Sequence, residues 1–204
     1  PIILQTKVKQ AYGANILGDD YIKTKEDTDN NVLYATFPNT VENTGTGTDS
    51  FKLDLDEMNL PDDFDILFST DGGASFSISP PSVMDVGNDR SSNVLIRVEA
   101  PQDTETGRYD FRIRWISRGD DSEWNEEKDY VTTWKQITIE VDQVYGVTIE
   151  AEDENLDVEV GKTVQFKFTI QNQGNDDDTF RLEVQEISDT DSWASLSKSK
   201  VTLD

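Results

Sequence analysis

The segment Tyr109-Asp110-Phe111-Arg112-Ile113-Arg114-Trp115 alternates large apolar residues with charged ones along its whole length. Successive side chains of a β-strand point to opposite faces, so this alternation predicts a strand with one face in a core and one in water. The same alternation recurs at Val94–Val98 and Ile137–Val141. No stretch keeps a helical periodicity over three turns, so the sequence predicts an all-β fold. The predicted core consists of Phe37, Val41, Phe51, Leu53, Val94, Ile96, Tyr109, Phe111, Ile113 and Trp115.

Turn signals separate the predicted strands at Asn43-Thr44-Gly45, Asp71-Gly72-Gly73 and Pro80-Pro81. Short strands divided in this way are typical of a β-sandwich. Residues 69–76 fit the pattern Ser-x-Asp-x-Gly-x-x-aromatic, which predicts a structural hairpin closed by its aspartate. Pro38 interrupts an otherwise continuous strand pattern and predicts an edge strand or a bulge at that point.

The sequence also repeats itself. The motif Phe37-x-x-x-Val41-x-Asn43-x-Gly45 recurs as Phe166-x-x-x-Ile170-x-Asn172-x-Gly174, so that residue 43 matches residue 172, an offset of 129 residues. The alternating segments that follow the two motifs match at the same offset. Gln10-Ala11-Tyr12-Gly13 matches Gln143-Val144-Tyr145-Gly146 at an offset of 133 residues. Matches in register predict a tandem array of one β module.

The order of these motifs resembles a known family. The apolar-x-Asn-x-Gly turn, the strand Phe51-x-Leu53-x-Leu55, and later Ala100-Pro101 and Gly107-x-Tyr109-x-Phe111 are similar to the immunoglobulin-like repeats of archaeal and bacterial cell-surface proteins, including cell-adhesion-related and galactosidase-associated modules. The resemblance covers about residues 32–117 and again 161–196. It implies tandem immunoglobulin-like β-sandwich modules, which serve mostly as spacers.

The repeat divides the chain into three parts. Residues 1–10 are interpreted as the last strand of a preceding module or as a donor strand, residues 11–143 as one complete immunoglobulin-like sandwich, and residues 144–204 as the first half of a second module. Arg118–Tyr130 is interpreted as an insertion that lengthens the complete module. The incomplete parts indicate either a fragment of a longer array or chains that exchange strands and polymerise.

The composition excludes several classes of function. The 204 residues include 42 Asp and Glu against 18 Lys and Arg, which gives a formal net charge of −24, and there is neither His nor Cys. Disulfides, Cys/His zinc sites, thiol catalysis and a Ser-His-Asp triad are therefore excluded within the chain. Nucleic acid and anionic lipid are not expected as partners, because phosphate binding needs clustered positive charge. The sequence predicts neither an enzyme nor a membrane-inserted segment.

A hard cation held by oxygen remains compatible with this composition. Three adjacent carboxylates occur at Asp176-Asp177-Asp178, and sandwich topology is expected to turn them toward first-module loops that carry further acids. Calcium takes about 6–8 oxygen ligands. The sequence therefore predicts a calcium site at the module junction, and a solvated acidic turn is the alternative. The candidate ligands are Asp27, Asp29, Asp103, Glu105, Asp176, Asp177 and Asp178.

Trp124 is the candidate interaction residue, since it lies among acidic residues of the insertion and aromatic residues concentrate in interfaces. Its alternative role is to fold back over its own sheet. Together these features favour an extracellular structural segment that forms stalk, surface-layer or filament material, with neighbouring modules or copies of the chain as partners. A carbohydrate-binding or adhesion module, with Trp124 and Trp134 stacking on surface glycans, is the rival hypothesis. An accessory domain of a secreted hydrolase is a third.

Overall fold

The computed structural model describes residues 9–58, 60–119, 124, 132–153, 156–185 and 194–204. The chain divides into two compact units: Pro1–Gln102 with Gly107–Asp142, and Asp103–Thr106 with Gln143–Asp204. The described residues form strands and no helix, which confirms the all-β class and leaves no membrane-spanning helix among them. Most of the predicted donor strand and of the predicted insertion lies outside the described residues.

The described part of the first unit contains the predicted strands at Val94–Val98, Tyr109–Trp115 and Ile137–Val141, which are thereby confirmed. The strands are β1 Ala14–Gly18, β2 Tyr21–Lys23, β3 Lys25–Asp27, β4 Val32–Asn43, β5 Asp49–Asp56, β6 Asp65–Ser69, β7 Ser82–Val86, β8 Ser91–Pro101, β9 Gly107–Ser117 and β10 Lys135–Val141.

These strands build two sheets. One has the order β1-β4-β8-β6, with β3 also paired to β4, and the other has the order β2-β10-β9-β5-β7. β2 runs parallel to β10, whereas the other pairs are antiparallel. The two orders correspond to strands A-B-E-D and A′-G-F-C-C′ of the immunoglobulin fold. Gly18, whose φ of 131° suits glycine, lies where the chain leaves the first sheet for the second.

The core of the first unit lies between the two sheets. Nine of the ten predicted core residues are at most 2% exposed. Phe37 of β4 and Phe111 of β9 contact each other across the sheets, with ring centroids 6.4 Å apart. The tenth, Tyr109, is half-buried near the start of β9, where its ring packs on Phe64 with centroids 4.9 Å apart. The alternation therefore predicted the buried face of each strand, and only Tyr109 is less buried than expected.

Pro38 was predicted to mark an edge or a bulge, and the structure places it at a local edge: β4 is not an edge strand, but at Pro38 it has a neighbour, β8, on one side only. On one side β4 pairs with β3 through Val32–Tyr34 and with β1 through Asn39–Asn43, so Pro38 falls in the gap between them. The Pro38 carbonyl oxygen lies so close to Gly18 that a Cβ on Gly18 would come within 2.5 Å of it. The proline nitrogen faces the same gap, and no ladder hydrogen bond is lost.

The hairpin predicted at residues 69–76 is confirmed. The Asp71 carboxylate accepts hydrogen bonds from the Ser69 hydroxyl at 2.6 Å and from the Ser75 amide at 3.0 Å. The Ser69 hydroxyl in turn accepts a hydrogen bond from the Gly73 amide at 2.8 Å. These hydroxyl and amide donors, the Ser69 hydroxyl first, hold the pKa of Asp71 well below its usual range. Local turn chemistry thus accounts for Ser69, Asp71 and Gly73 of the motif.

The described part of the second unit contains two antiparallel strand pairs. Val147–Ala151 forms β11 and pairs with β12, Phe168–Asn172. Asp178–Arg181 forms β13 and pairs with β14, Lys200–Leu203.

Candidate functional site

Asp27, a predicted metal ligand, serves as the closing residue of the turn between β3 and β4. Its carboxylate accepts hydrogen bonds from the Asn30 side chain at 2.9 Å and the Asn30 amide at 3.2 Å, and Arg97 lies 3.6 Å away. The Asn30 side chain is the main cause that lowers the pKa of Asp27. Asp29, the second predicted ligand of the first unit, is exposed in the same turn.

The other predicted metal ligands belong to the second unit. Asp103 and Glu105 are exposed. Asp176 accepts a hydrogen bond from the Thr106 hydroxyl, which is the main cause of its lowered pKa. Asp178 accepts one from the Thr179 amide at 2.6 Å, while Asp177 offers its carbonyl to the Gln143 side chain at 3.2 Å. The acidic run is therefore held by the protein's own hydrogen-bond donors.

The described residues give no geometric support for a cation site. Among the described residues, no three Asp or Glu side chains are grouped closely enough to hold a metal ion. The Asp27 and Asp176 carboxylates already accept hydrogen bonds from protein donors. Calcium binding thus stays a prediction from the sequence.

The outer face of the β2-β10-β9-β5-β7 sheet carries an aromatic residue that the rival hypothesis assigned to sugar stacking. The Arg112 and Arg114 guanidinium groups lie 4.9 and 4.4 Å from the centre of the Trp134 ring. Both arginines also pair with β5, Arg112 with Asp56 at 2.6 Å and Arg114 with Asp54 at 2.7 Å. Half-buried Trp134 is thus stacked by cations of its own sheet.

A second polar cluster on this face centres on Glu140 of β10. Its carboxylate accepts a hydrogen bond from the Tyr21 hydroxyl and lies 2.9 Å from Lys23 and 3.0 Å from Arg108. The Tyr21 hydrogen bond, followed by those of Lys23 and Arg108, lowers the pKa of Glu140 to about 2. Sequence reasoning missed this cluster, because Tyr21 and Glu140 are 119 residues apart and neither belongs to a motif.

Trp124, the predicted interaction residue, is half-buried. The neighbouring insertion residues 120–123 and 125–130 lie outside the described residues. Its assignment as a partner-binding residue stays a prediction.

The Asn-x-Gly turn of the first unit is an extended hydrogen-bonded latch. The buried Asn43 side-chain oxygen accepts the Gly45 amide at 2.9 Å. Its side-chain nitrogen donates to the carbonyl oxygens of Gly47 at 2.8 Å and of Val86 at 2.7 Å. One asparagine thus connects β4, the following loop and the end of β7.

The second unit contains the same latch. The Asn172 side-chain oxygen accepts the Gly174 amide at 2.9 Å, and its nitrogen donates to the carbonyl oxygens of Asp176 at 2.8 Å and Leu203 at 3.4 Å. Gly45 and Gly174 each follow their asparagine by two residues, and Gly47 and Asp176 each follow it by four.

The segments that precede the two latches also make matching bonds. The amide of Thr44 donates to Gly13 and that of Gln173 to Gly146, at 2.9 Å in both units. The side chain of Gln10 donates to the Thr48 carbonyl at 2.9 Å, and that of Gln143 to the Asp177 carbonyl at 3.2 Å. The repeated sequence motifs thus have repeated local structures, a correspondence visible in the sequence only as spacing.

Comparisons with known proteins identify no family and no curated relative. Among solved structures, the chain is similar to the N-terminal domain of PorA at 11% identity, covering 63% of this chain and 96% of that one, with a TM-score of 0.41. It is similar to the CARDB domain of PF1109 from Pyrococcus furiosus at 12% identity, covering 67% and 98%, with a TM-score of 0.31.

A third similarity, to the Bacillus anthracis TIE protein at 12% identity, covers 98% of this chain and 38% of that one, with a TM-score of 0.40. All three TM-scores are too low to support an inference about function. The strand order of the first unit therefore defines the class: it is an immunoglobulin-like β-sandwich.

Proposed function

We propose that the chain is a non-enzymatic structural segment of an extracellular or cell-surface protein. Immunoglobulin-like modules follow one another in series, and their role is mechanical, as stalk, surface-layer or filament material. The observation that carries this proposal is the repetition of the Asn43 latch at Asn172, with the same donors and acceptors at corresponding positions. A module that recurs along one chain is the usual construction of an extended spacer.

The polar clusters of the first unit also support a structural role. Arg112, Arg114 and Arg108 each pair with a carboxylate of the same sheet. Glu140 is surrounded by three donors, which lower its pKa to about 2. A catalytic acid or base needs a pKa near the working pH, so Glu140 is suited to cross-strand support instead.

Surface proteolysis of intact cells tests the location. Protease added to intact cells should remove peptides of this chain while a cytoplasmic marker stays intact. Peptides released only after lysis would contradict the proposal. Glycan arrays test the rival adhesion role: binding that is lost in Trp134→Ala but kept in Tyr145→Ala, which alters an exposed aromatic residue of the second unit, would favour it.

A further inference from the structure

The strand pairs of the second unit correspond to particular pairs of the first. In the pair β1–β4, Ala14 lies opposite Asn43, and in the pair β11–β12, Val147 lies opposite Asn172. Likewise Asp49 lies opposite Val86 in β5–β7, as Asp178 lies opposite Leu203 in β13–β14. β12 therefore corresponds to β4, and β13 to β5.

In the first unit both of these strands have a further neighbour. β8 pairs with β4 from Val32 to Glu42, and β9 pairs with β5 from Phe51 to Asp56. Within the described part of the second unit, β12 pairs only with β11, and β13 only with β14. Among the described residues, one edge of each strand is thus unpaired at the place where the first unit has β8 or β9.

Several apolar side chains of the second unit are more exposed than their counterparts in the first unit, although Phe180 and Leu182 of the β13 segment are half-buried. Phe166 is 50% exposed, whereas its counterpart Phe37 is 2% exposed. Phe168 and Val184 are 44% and 45% exposed. Apolar surface of this extent beside open strand edges is typical of a surface that another β-segment covers.

Asp178 specifies what such a segment must carry. Its counterpart Asp49 is a buried carboxylate that accepts hydrogen bonds from the Ser117 hydroxyl and, at 3.2 Å, from the Gly119 amide. Ser117 is the last residue of β9, and Gly119 follows it by two residues. Asp49 and Asp178 also share a local bond, since each accepts the amide of the next residue, at 2.7 and 2.6 Å.

We infer that the open edge of β13 binds an antiparallel strand with the sequence pattern of β9. In β5–β9, Leu53 lies opposite Trp115, Leu55 opposite Ile113, and Phe51 opposite Ser117. The bound strand accordingly has large apolar residues opposite Leu182 and Val184, and a hydroxyl residue opposite Phe180. A glycine two positions after the hydroxyl residue completes the contact with Asp178. This inference rests on the proposed series of modules and specifies the kind of strand that pairs with the second one.

A chimera tests this inference in the full chain. A second copy of the Gly87–Asp142 sequence is placed directly after Leu203, because Leu203 corresponds to Val86. Hydrogen exchange of the β12 and β13 amides should become at least tenfold slower than in the unextended chain. The matched control carries Ile113→Asp and Trp115→Asp in the appended copy only, and there the exchange should stay as in the unextended chain.

Asp178→Ala distinguishes a strand that binds Asp178 specifically from a segment that only covers the apolar surface of the second unit. In the chimera this substitution should make hydrogen exchange of the β13 amides severalfold faster. In the unextended chain the increase should be less than twofold. Equal exchange in the chimera and its matched control would overturn the inference. Exchange in the unextended chain that slows with protein concentration would also overturn it, because a second copy would then be the occupant. Neither exchange result depends on where the native protein is located. A failure of this inference can therefore be distinguished from a failure of the proposed cell-surface location.

Discussion

The indole N–H of Trp115 donates a hydrogen bond to the side-chain oxygen of Asn39 at 2.9 Å, and both residues are fully buried. Asn39 belongs to β4 and Trp115 to β9, so this bond joins the two sheets of the sandwich. The Asn39 nitrogen donates at 3.2 Å to the Leu17 carbonyl of β1. A polar pair is tolerated in this core because each partner satisfies the other.

Breaking this pair from one side should destabilise the first unit. Trp115→Phe leaves the Asn39 oxygen without that donor in the core, a loss of about 1–3 kcal/mol for the unsatisfied group alone. Denaturant unfolding of Trp115→Phe, Asn39→Leu and the double variant should give a coupling energy of about 0.5–3 kcal/mol. Strictly additive losses would contradict a direct bond.

Truncation of Phe111 should be among the most damaging changes, because its ring is fully buried against Phe37. Phe111→Ala is expected to lower the free energy of unfolding by about 3–5 kcal/mol. Ile78→Ala is the control, since the Ile78 side chain is 73% exposed, and its effect should stay within about 0.5 kcal/mol. A similar small effect for Phe111→Ala would contradict the core assignment.

Glu140 should stabilise the fold in a defined pH window. Its folded-state pKa of about 2 lies below the ordinary value of 4.5, so its contribution is fully present above about pH 4.5. The contribution is lost as the pH falls from about 4.5 through about 2, because over this range the unfolded state binds the proton more readily than the folded state does. Glu140→Gln should therefore flatten the loss of stability between pH 4.5 and 2, measured by unfolding at each pH. Asp62→Asn in an exposed turn serves as control and should leave that slope unchanged.

The two Asn latches should respond alike to truncation. Asn43→Ala removes three side-chain hydrogen bonds and should speed exchange of the Gly45 amide, which donates to that side chain. Asn172→Ala should do the same at Gly174. Asn15→Ala, which removes a single exposed bond to Glu42, is the control and should leave both glycine amides unaffected. A fast-exchanging Gly45 amide in the unaltered chain would contradict the latch.

Cations should stabilise the chain through screening, because its net charge is −24. Melting temperatures should therefore rise with sodium chloride. The calcium site predicted from the sequence requires more than screening. Calcium should raise the melting temperature more than magnesium does at equal ionic strength, and Asp176→Asn should abolish this difference. Identical melting curves in the two ions would contradict a calcium site.

Alternation along individual strands was sufficient to predict the class and most of the core. The period-two pattern of Tyr109–Trp115 follows directly from strand geometry, and burial of one face requires no knowledge of the partner strand. The recurring Asn-x-Gly motif was also recognisable in the sequence, because Gly45 and Gly174 each follow their asparagine by two residues. Turn chemistry at Asp71 was predictable for the same reason, since its hydrogen-bond partners Ser69 and Ser75 are close in sequence.

Contacts between distant segments were decided only by the tertiary structure. Nothing in the sequence pairs Tyr21 with Glu140 or Asn39 with Trp115, because register and strand order determine which outward or inward side chains meet. Pro38 shows the same limit. Proline chemistry predicted an edge, and only the tertiary structure shows that this local edge is the gap between β3 and β1 inside the sheet. The sequence by itself thus determined which residues form strands and which face of each is apolar. Their partners depend on the packing of the two sheets, a property of the whole fold.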